Sequence, residues 1–134
     1  MHPLYDKADR LTHEVIGAAI EVHREMGPGL IESIYERCLA HELSLRGLQA
    51  VSQKQVSIRY KSVTFEEPLR LDLLVEGCLL IENKCADAII PIHKAKLLSY
   101  MKLLNVPLGL IINYHELVLR HGIARLMLPA ANLQ

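Results

Sequence analysis

The spacing of hydrophobic residues divides the chain into an N-terminal helical part and a later part made mainly of strands. Apolar residues recur about every 3.6 positions from Leu11 to Met26, and a second such segment runs from Leu30 to Arg46. Gly27-Pro28-Gly29 separates the two segments, because glycine allows a positive φ and proline removes a backbone donor. Gly47 stands where a helix commonly ends in glycine. The sequence therefore predicts two helices before the first strand.

After Gly47, β-branched residues and alternating polarity predict three strands in an antiparallel meander. The strands are Val51–Tyr60, Leu69–Glu76 and Leu79–Ala86, and Gly77 makes the turn between the last two. In the middle strand, alternation places Leu69, Leu71, Leu73 and Val75 on one face and Arg70, Asp72, Leu74 and Glu76 on the other.

A third helix and two further strands complete the pattern. Pro91 precedes a helix over about Ile92–Leu104. The run Leu108–Asn113 is apolar almost throughout, which predicts a strand covered by helices on both faces. A last strand, Val118–Leu128, contains an irregularity at Gly122. The order α-α-β-β-β-α-β-β predicts an α/β or α+β sandwich with a mixed sheet.

Length and composition predict one globular domain over residues 1–134, with its core at about 11–128. The chain has 134 residues, of which 51% are hydrophobic and 22% charged. Lys plus Arg and Asp plus Glu number 15 each, which excludes a globally basic nucleic-acid coat but allows a local basic stripe.

Sequence features also predict a cytoplasmic protein that does not enter a membrane. No apolar run reaches the roughly 18 residues that a membrane helix needs. The N-terminus carries charges in place of the apolar region of a secretory signal. The three cysteines are odd in number and form no C-x-x-C motif, which favours reduced thiols.

The strongest chemical signal is an aspartate followed ten residues later by Glu-Asn-Lys. If Gly77 makes a hairpin, residue n pairs with about residue 154 − n, and Asp72 then lies opposite Glu82. Lys84 shares a face with Glu82. Two such carboxylates repel each other unless a cation lies between them, and Mg²⁺ prefers oxygen ligands.

These residue types suit metal-assisted phosphodiester hydrolysis. The metal polarises the phosphate and acidifies a water molecule. Lys84 can orient or deprotonate that water, or stabilise the charge that develops. The competing interpretation is a cross-strand Glu–Lys ion pair on an exposed sheet face, worth little to stability.

Two of the predicted helices offer further polar residues. Glu32 can act as a third acidic ligand, directly or through water, or it can simply favour the helix dipole from the first turn. On the third helix, His93, Lys96 and Tyr100 recur at i, i+3 and i+7. They form either a polar stripe beside the site or a solvated helix face.

Other chemistries find little support. The chain has no glycine-rich phosphate loop, no zinc spacing of His and Cys, and no serine in a G-x-S-x-G elbow. It has one Phe and no Trp, which argues against an aromatic platform for single strands.

The order of the motifs resembles the GxxExxY proteins of the PD-(D/E)XK nuclease superfamily. The resemblance is carried by Gly29-x-x-Glu32-x-x-Tyr35, Arg70–Val75, Glu82-x-Lys84 and Leu97-Leu98-x-Tyr100, and it covers about Leu11 to Arg125. It implies a restriction-endonuclease-like core of order αβββαβ. In that core a mixed central sheet is flanked by helices, and here an extra N-terminal helix precedes it.

The resemblance also implies the catalytic roles. Glu32, Asp72, Glu82 and Lys84 match the catalytic positions. Asp72 and Glu82 would bind Mg²⁺ together with the backbone carbonyl of Asn83, and Glu32 would reach the metal directly or through water. Mn²⁺ is expected to substitute for Mg²⁺. Lys84 would position the attacking water.

The implied activity is metal-dependent hydrolysis of phosphodiester bonds, with DNA as the expected partner. Tyr35, Lys96 and Tyr100 are the expected substrate contacts. Asn83 and Lys96 depart from the family pattern, which usually has an apolar residue and Gln at these positions. Lys96 either contacts phosphate or neutralises a carboxylate in place of a metal.

Two alternatives accompany this prediction. The first is a catalytically inactive nuclease-fold protein that binds nucleic acid or another protein, because fold alone does not settle function. The second concerns assembly: the first helix, Leu11–Met26, is extra to the core and is expected to supply a homodimer interface.

Overall fold

The computed structural model of the protein describes residues 1–133. The helices are α1 (Tyr5–Met26), α2 (Glu32–Leu45) and α3 (Pro91–Leu104). The strands are β1 (Ala50–Tyr60), β2 (Val63–Val75), β3 (Leu79–Lys84), β4 (Leu108–Asn113) and β5 (Ile123–Met127), with a short 3₁₀ helix at Leu119–Gly122. This order, with a mixed sheet between flanking helices, confirms the predicted α+β, restriction-endonuclease-like fold.

All five strands form one sheet in the order β1-β2-β3-β4-β5. The β3–β4 pair is parallel and the other three pairs are antiparallel. Leu73 pairs with Ile81 and Val75 with Leu79, which confirms the predicted hairpin register. Every residue of β4 is buried, as expected for a strand with helices on both faces.

Helices cover the two faces of the sheet unequally. The face against α1 and α2 buries residues such as Val15, Leu39 and Ile81, and the other face packs α3 through residues such as Leu97. A Cβ added at Gly109 would lie 2.7 Å from the sulfur of Met101 on α3, so glycine lets that helix approach β4 closely. No helix within residues 1–133 is long and apolar enough to cross a membrane.

The middle strand departs from the predicted alternation. Leu73 packs toward α1 and α2, whereas Leu71 packs with the α3 cluster, so the prediction that both share a face is wrong. The cause is a register shift: Val51 pairs with Leu74, but Gln53 pairs with Arg70. This β-bulge lies directly at Asp72, and bulges commonly redirect a side chain beside a functional site.

Three predicted boundaries also move. The first helix begins at Tyr5 instead of Leu11, and the middle strand begins at Val63 instead of Leu69. The predicted last strand is divided at Gly122 into a 3₁₀ turn and β5. A Cβ at Gly122 would lie 2.5 Å from the Asn113 carbonyl oxygen, which explains the glycine at this break.

Candidate active site

The candidate site lies where β2 and β3 separate. Backbone pairing between them ends at Leu73 and Ile81. One residue further, Asp72 Oδ2 accepts a hydrogen bond of 2.7 Å from the backbone N–H of Asn83. Because the N–H and C=O of one strand residue point to the same side, the Asn83 carbonyl also faces this gap. The Asp72 carboxylate thus takes the place of a strand partner.

Glu82 supplies a nearly buried carboxylate with unequal oxygens. Its Oε1 lies 3.6 Å from Lys84 Nζ and 3.3 Å from Lys96 Nζ. Its Oε2 is buried and has no hydrogen-bond partner within residues 1–133. Two ammonium groups therefore share one oxygen, while the other oxygen remains available as a ligand.

A cleft opens beside these groups, between the sheet and α3. Lys96 and Tyr100 reach it from α3, as predicted, with Tyr100 half-buried and Lys96 more exposed. The cleft is lined by Arg70, Leu71, Asp72, Leu80, Ile81, Glu82, Lys96, Leu97 and Tyr100. It combines an acidic floor with cations at its rim.

Within residues 1–133 the Asp72 carboxylate forms no ion pair. Burial raises the pKa of Asp72, and the negative charges of Glu82 and Glu32 raise it further. The hydrogen bond from Asn83 and the charge of Lys84 act in the opposite direction without cancelling these effects. A divalent cation would relieve this repulsion.

The N-terminal turns of α2 add two carboxylates. Glu32, the first residue of α2, is exposed but close enough for its charge to raise the pKa of Asp72. Burial and the charge of Asp72 raise the pKa of the half-buried Glu36, and Arg70 lowers it. Glu36 and Arg70 were not predicted as site residues. Glu36 follows Glu32 by four positions and hence shares its helix face, which is the signal that identifies it.

The predicted stripe on α3 is present only in part. Lys96 and Tyr100 line the cleft, but His93 does not: its Nδ1 accepts the backbone N–H of Ile90 at 3.2 Å. Burial alone would lower the pKa of Lys96, but Glu82, Tyr100 and Asp72 together raise it. Lys96 therefore stays positively charged beside the acidic floor.

Tyr35 has a structural position, so the prediction that it contacts substrate is wrong. Its side chain is fully buried and its ring stacks on Tyr114, with 4.3 Å between centroids. The hydroxyl donates to the Gly27 carbonyl and accepts the Leu30 N–H at 3.2 Å. Tyr35 thus fixes the turn that precedes Glu32.

We expect Tyr35→Phe to lower the free energy of unfolding by about 1–2 kcal/mol, because the Gly27 carbonyl and the Leu30 N–H both lose a partner. Urea denaturation measures this change. Tyr60→Phe is the control, since Tyr60 is exposed at the end of β1. Equal stabilities of the two variants would contradict the role assigned to the Tyr35 hydroxyl.

The side chain of Asn83 lies on the opposite face from the cleft. It is buried with Leu79 and Ile81 on the side of α1 and α2, as alternation predicts. Neither of its amide atoms has a hydrogen-bond partner within residues 1–133, which costs roughly 1–3 kcal/mol. Only the backbone of Asn83 is thus available to the site.

The donor set suits a hard divalent cation. Glu82 Oε2 is a buried oxygen without a hydrogen-bond partner among residues 1–133, and the Asp72 carboxylate and the Asn83 carbonyl supply further oxygens. In the part of the chain that the structure describes, no three His, Cys, Asp or Glu side chains are grouped to enclose a metal. A cation here would depend on two carboxylates and backbone, with water completing its shell.

Comparison with known proteins agrees with this geometry. Residues 9–126 match the family model described as PD-(D/E)XK nuclease superfamily, which typically comprises nucleases that use divalent metals. Searches of curated proteins and of solved structures give no significant match. Since the family model spans most of the sequence and the αβββαβ core is present, the chain belongs to the PD-(D/E)XK nuclease superfamily.

Proposed function

We propose that this protein is a Mg²⁺-dependent nuclease that hydrolyses phosphodiester bonds in DNA. The observation that carries the proposal is the buried Oε2 of Glu82, which has no hydrogen-bond partner in the described part of the chain and whose carboxylate is repelled by that of Asp72. Lys84, on the same strand face, lies 3.6 Å from the other oxygen of Glu82. Membership of the superfamily supports nuclease activity and nucleic-acid binding.

Each site residue has a distinct role in the proposal. Asp72, Glu82 and the Asn83 carbonyl would hold Mg²⁺, with Glu32 reaching it through water. A bound Mg²⁺ supplies Lewis acidity that polarises the phosphate and lowers the pKa of water. Lys84 orients the attacking water and neutralises charge that develops on the phosphate.

Two α3 residues complete the proposed site on the substrate side. Lys96 and Tyr100 contact the phosphate backbone from the opposite wall of the cleft. Their half-exposed positions leave them accessible to a bound strand.

Cleavage assays test the proposal. We expect the wild-type protein with Mg²⁺ or Mn²⁺ to cut at least one of single-stranded, double-stranded or branched DNA, and EDTA to abolish cutting. RNA in the same series defines the substrate class. Failure to cut any of these substrates with either metal would contradict the proposed activity.

One observation favours a catalytically inactive binding module as the second candidate. Lys84 and Lys96 both lie within 4 Å of Glu82 Oε1, so this carboxylate is already neutralised without a metal. In that case the lysines replace the metal, and neither Mg²⁺ nor Mn²⁺ binds.

Lys96→Gln separates these possibilities. If the Lys96 ammonium competes with the metal for Glu82, its removal should tighten Mn²⁺ binding about tenfold in a calorimetric titration. Lys94→Gln is the matched control, because Lys94 is exposed on the same helix and makes no ion pair within residues 1–133. Equal Mn²⁺ affinities in the two variants would contradict competition at Glu82.

Within the superfamily, we infer that the chain is a GxxExxY protein. Gly29, Glu32 and Tyr35 carry the motif, and the buried hydroxyl of Tyr35 gives its last position a physical function. Three further expectations stay predictions: a single domain over residues 1–134, a cytoplasmic location and a homodimer through α1. Light scattering at micromolar concentration tests the homodimer.

A further inference from the structure

The β1–β2 hairpin extends well beyond the rest of the sheet. Strand β3 pairs only with Leu73–Val75 of β2, whereas β1 pairs with β2 from Gln53↔Arg70 to Tyr60↔Val63. Residues 53–70 thus form a two-stranded ribbon, here called the arm, about 25 Å long. Residues 57–68 are exposed on both faces except for the half-buried Ile58. An isolated ribbon of this kind is only marginally stable, so a bound partner would stabilise it.

The arm is one of the basic parts of the chain, and its base adjoins the cleft that α3 lines with Lys96. It holds four of the 15 Lys and Arg residues but only two of the 15 Asp and Glu residues, so its net charge is +2 and that of the remainder is −2. Its cations are Lys54, Arg59, Lys61 and Arg70. Within residues 1–133 none of them forms an ion pair, and two of them, Arg59 and Arg70, lie on the same face of the arm.

The two faces of the arm differ, and the polar face leads to the cleft. The register places one face as Gln53, Gln55, Ser57, Arg59, Thr64, Glu66, Pro68 and Arg70. Arg70 at its base lines the cleft beside Asp72, and Arg59 lies near the tip. The face therefore runs about 20 Å outward from the acidic floor, which corresponds to about six base pairs of duplex.

We propose that the arm binds double-stranded DNA, with its polar face directed into the major groove next to the cut site. A two-stranded ribbon fits the roughly 12 Å wide major groove of B-form DNA but not the narrow major groove of A-form RNA. Glutamine, serine and arginine on this face can bond to base edges and phosphates. This inference rests on the proposed nuclease function and specifies its substrate as B-form duplex.

Fluorescence anisotropy in EDTA, with a labelled duplex of two helical turns, tests the proposal without cutting. We expect Arg59→Ala/Lys61→Ala to weaken binding at least about tenfold and to reduce the slope of log affinity against log salt by about 2. The matched control is Lys7→Ala/Arg10→Ala, which removes two exposed α1 cations that make no ion pair within residues 1–133. The control should bind like wild type.

The outcomes separate the arm from the catalytic proposal. If the wild type binds DNA and the arm variant binds it equally well, the arm is not the DNA contact, whatever the cleavage assays show. Equal loss in the arm variant and the control would overturn it too, since charge alone would then explain binding. Duplex RNA of the same sequence should bind more weakly than DNA and should not respond to the arm variant.

A protein partner is the competing occupant, because Val63 and Phe65 are exposed on the other face of the arm. The double variant Val63→Ser/Phe65→Ser tests this alternative through the mass of the protein in solution. A changed mass, together with unchanged DNA binding by the Arg59→Ala/Lys61→Ala variant, would show that the arm contacts a second copy of the chain. That result would overturn the proposal. Failure of the proposed function is recognised separately, as absence of DNA cutting and of Mn²⁺ binding by the wild type.

Discussion

Lys84→Ala is expected to lower the rate of DNA cleavage about 10²–10⁴-fold while leaving DNA binding in EDTA within about twofold of wild type. Lys84 is half-buried at the end of β3, where it reaches the Glu82 carboxylate but adds little surface for a bound duplex. Its loss should thus remove the group that orients water without removing a main DNA contact. Single-turnover cleavage and anisotropy measure the two effects.

The fold should survive this change because Lys96 remains 3.3 Å from Glu82 Oε1 and keeps that carboxylate paired. Lys94→Ala, at an exposed position of α3, controls for the loss of one positive charge. If Lys84→Ala cuts at the wild-type rate, or if binding and cutting fall together, Lys84 has no catalytic role of the kind proposed.

Asp72→Asn is expected to abolish measurable cleavage and yet raise the melting temperature by about 2–5 °C in metal-free buffer, equivalent to about 1 kcal/mol. The Asp72 carboxylate is partly buried beside Glu82 and Glu32, so its charge destabilises the folded protein. Asparagine removes that charge, and its carbonyl oxygen can still accept the Asn83 N–H. Thermal unfolding of both proteins in EDTA measures the difference.

The pH dependence follows from the direction of the same shift. Burial raises the pKa of Asp72 in the folded state above its pKa in the unfolded state. At pH values between these two pKa values, the unfolded state therefore binds fewer protons than the folded state. Lowering the pH through this interval should then stabilise wild-type protein more than Asp72→Asn. Parallel pH profiles, or a lower melting temperature for the variant, would contradict the repulsion between carboxylates.

The sequence predicts the fold well where local pattern and pairing agree. Gly77 identifies the turn of the hairpin, and the resulting register of Leu73 with Ile81 is observed. The continuous apolar run of β4 predicts its burial on both faces, because only a central strand can bury such a run. Alternation likewise places Asn83 away from the cleft, as found.

The sequence does not predict features that depend on tertiary contacts. The bulge beside Asp72 arises from a register shift against β1, which alternation within β2 cannot reveal. Tyr35 shares a motif with Glu32, yet its stack on Tyr114 brings together residues far apart in the chain. The sequence does not predict the outer part of β2, because this part contains Glu66, Glu67 and Pro68. Glutamate and proline are rare in strands that other elements cover.

The candidate site was predictable as a set of residue types but not as a balance of charges. Asp72, Glu82, Lys96 and Tyr100 do line one cleft, and Lys84 lies 3.6 Å from Glu82 Oε1. Sequence does not show that two lysines share a single oxygen of Glu82 while the other oxygen has no partner within residues 1–133. The shared oxygen favours a self-neutralised site, and the unpartnered oxygen favours a metal site.

Calorimetric titration of the wild-type protein with Mn²⁺, free of nucleic acid, tests the central claim most directly. We predict binding with a dissociation constant between micromolar and millimolar, and its loss in Asp72→Asn. Since the titration measures metal binding without substrate, it does not depend on choosing the correct DNA. Absence of binding in the wild type would contradict the metal site and show that Lys84 and Lys96 neutralise Glu82 in place of a metal.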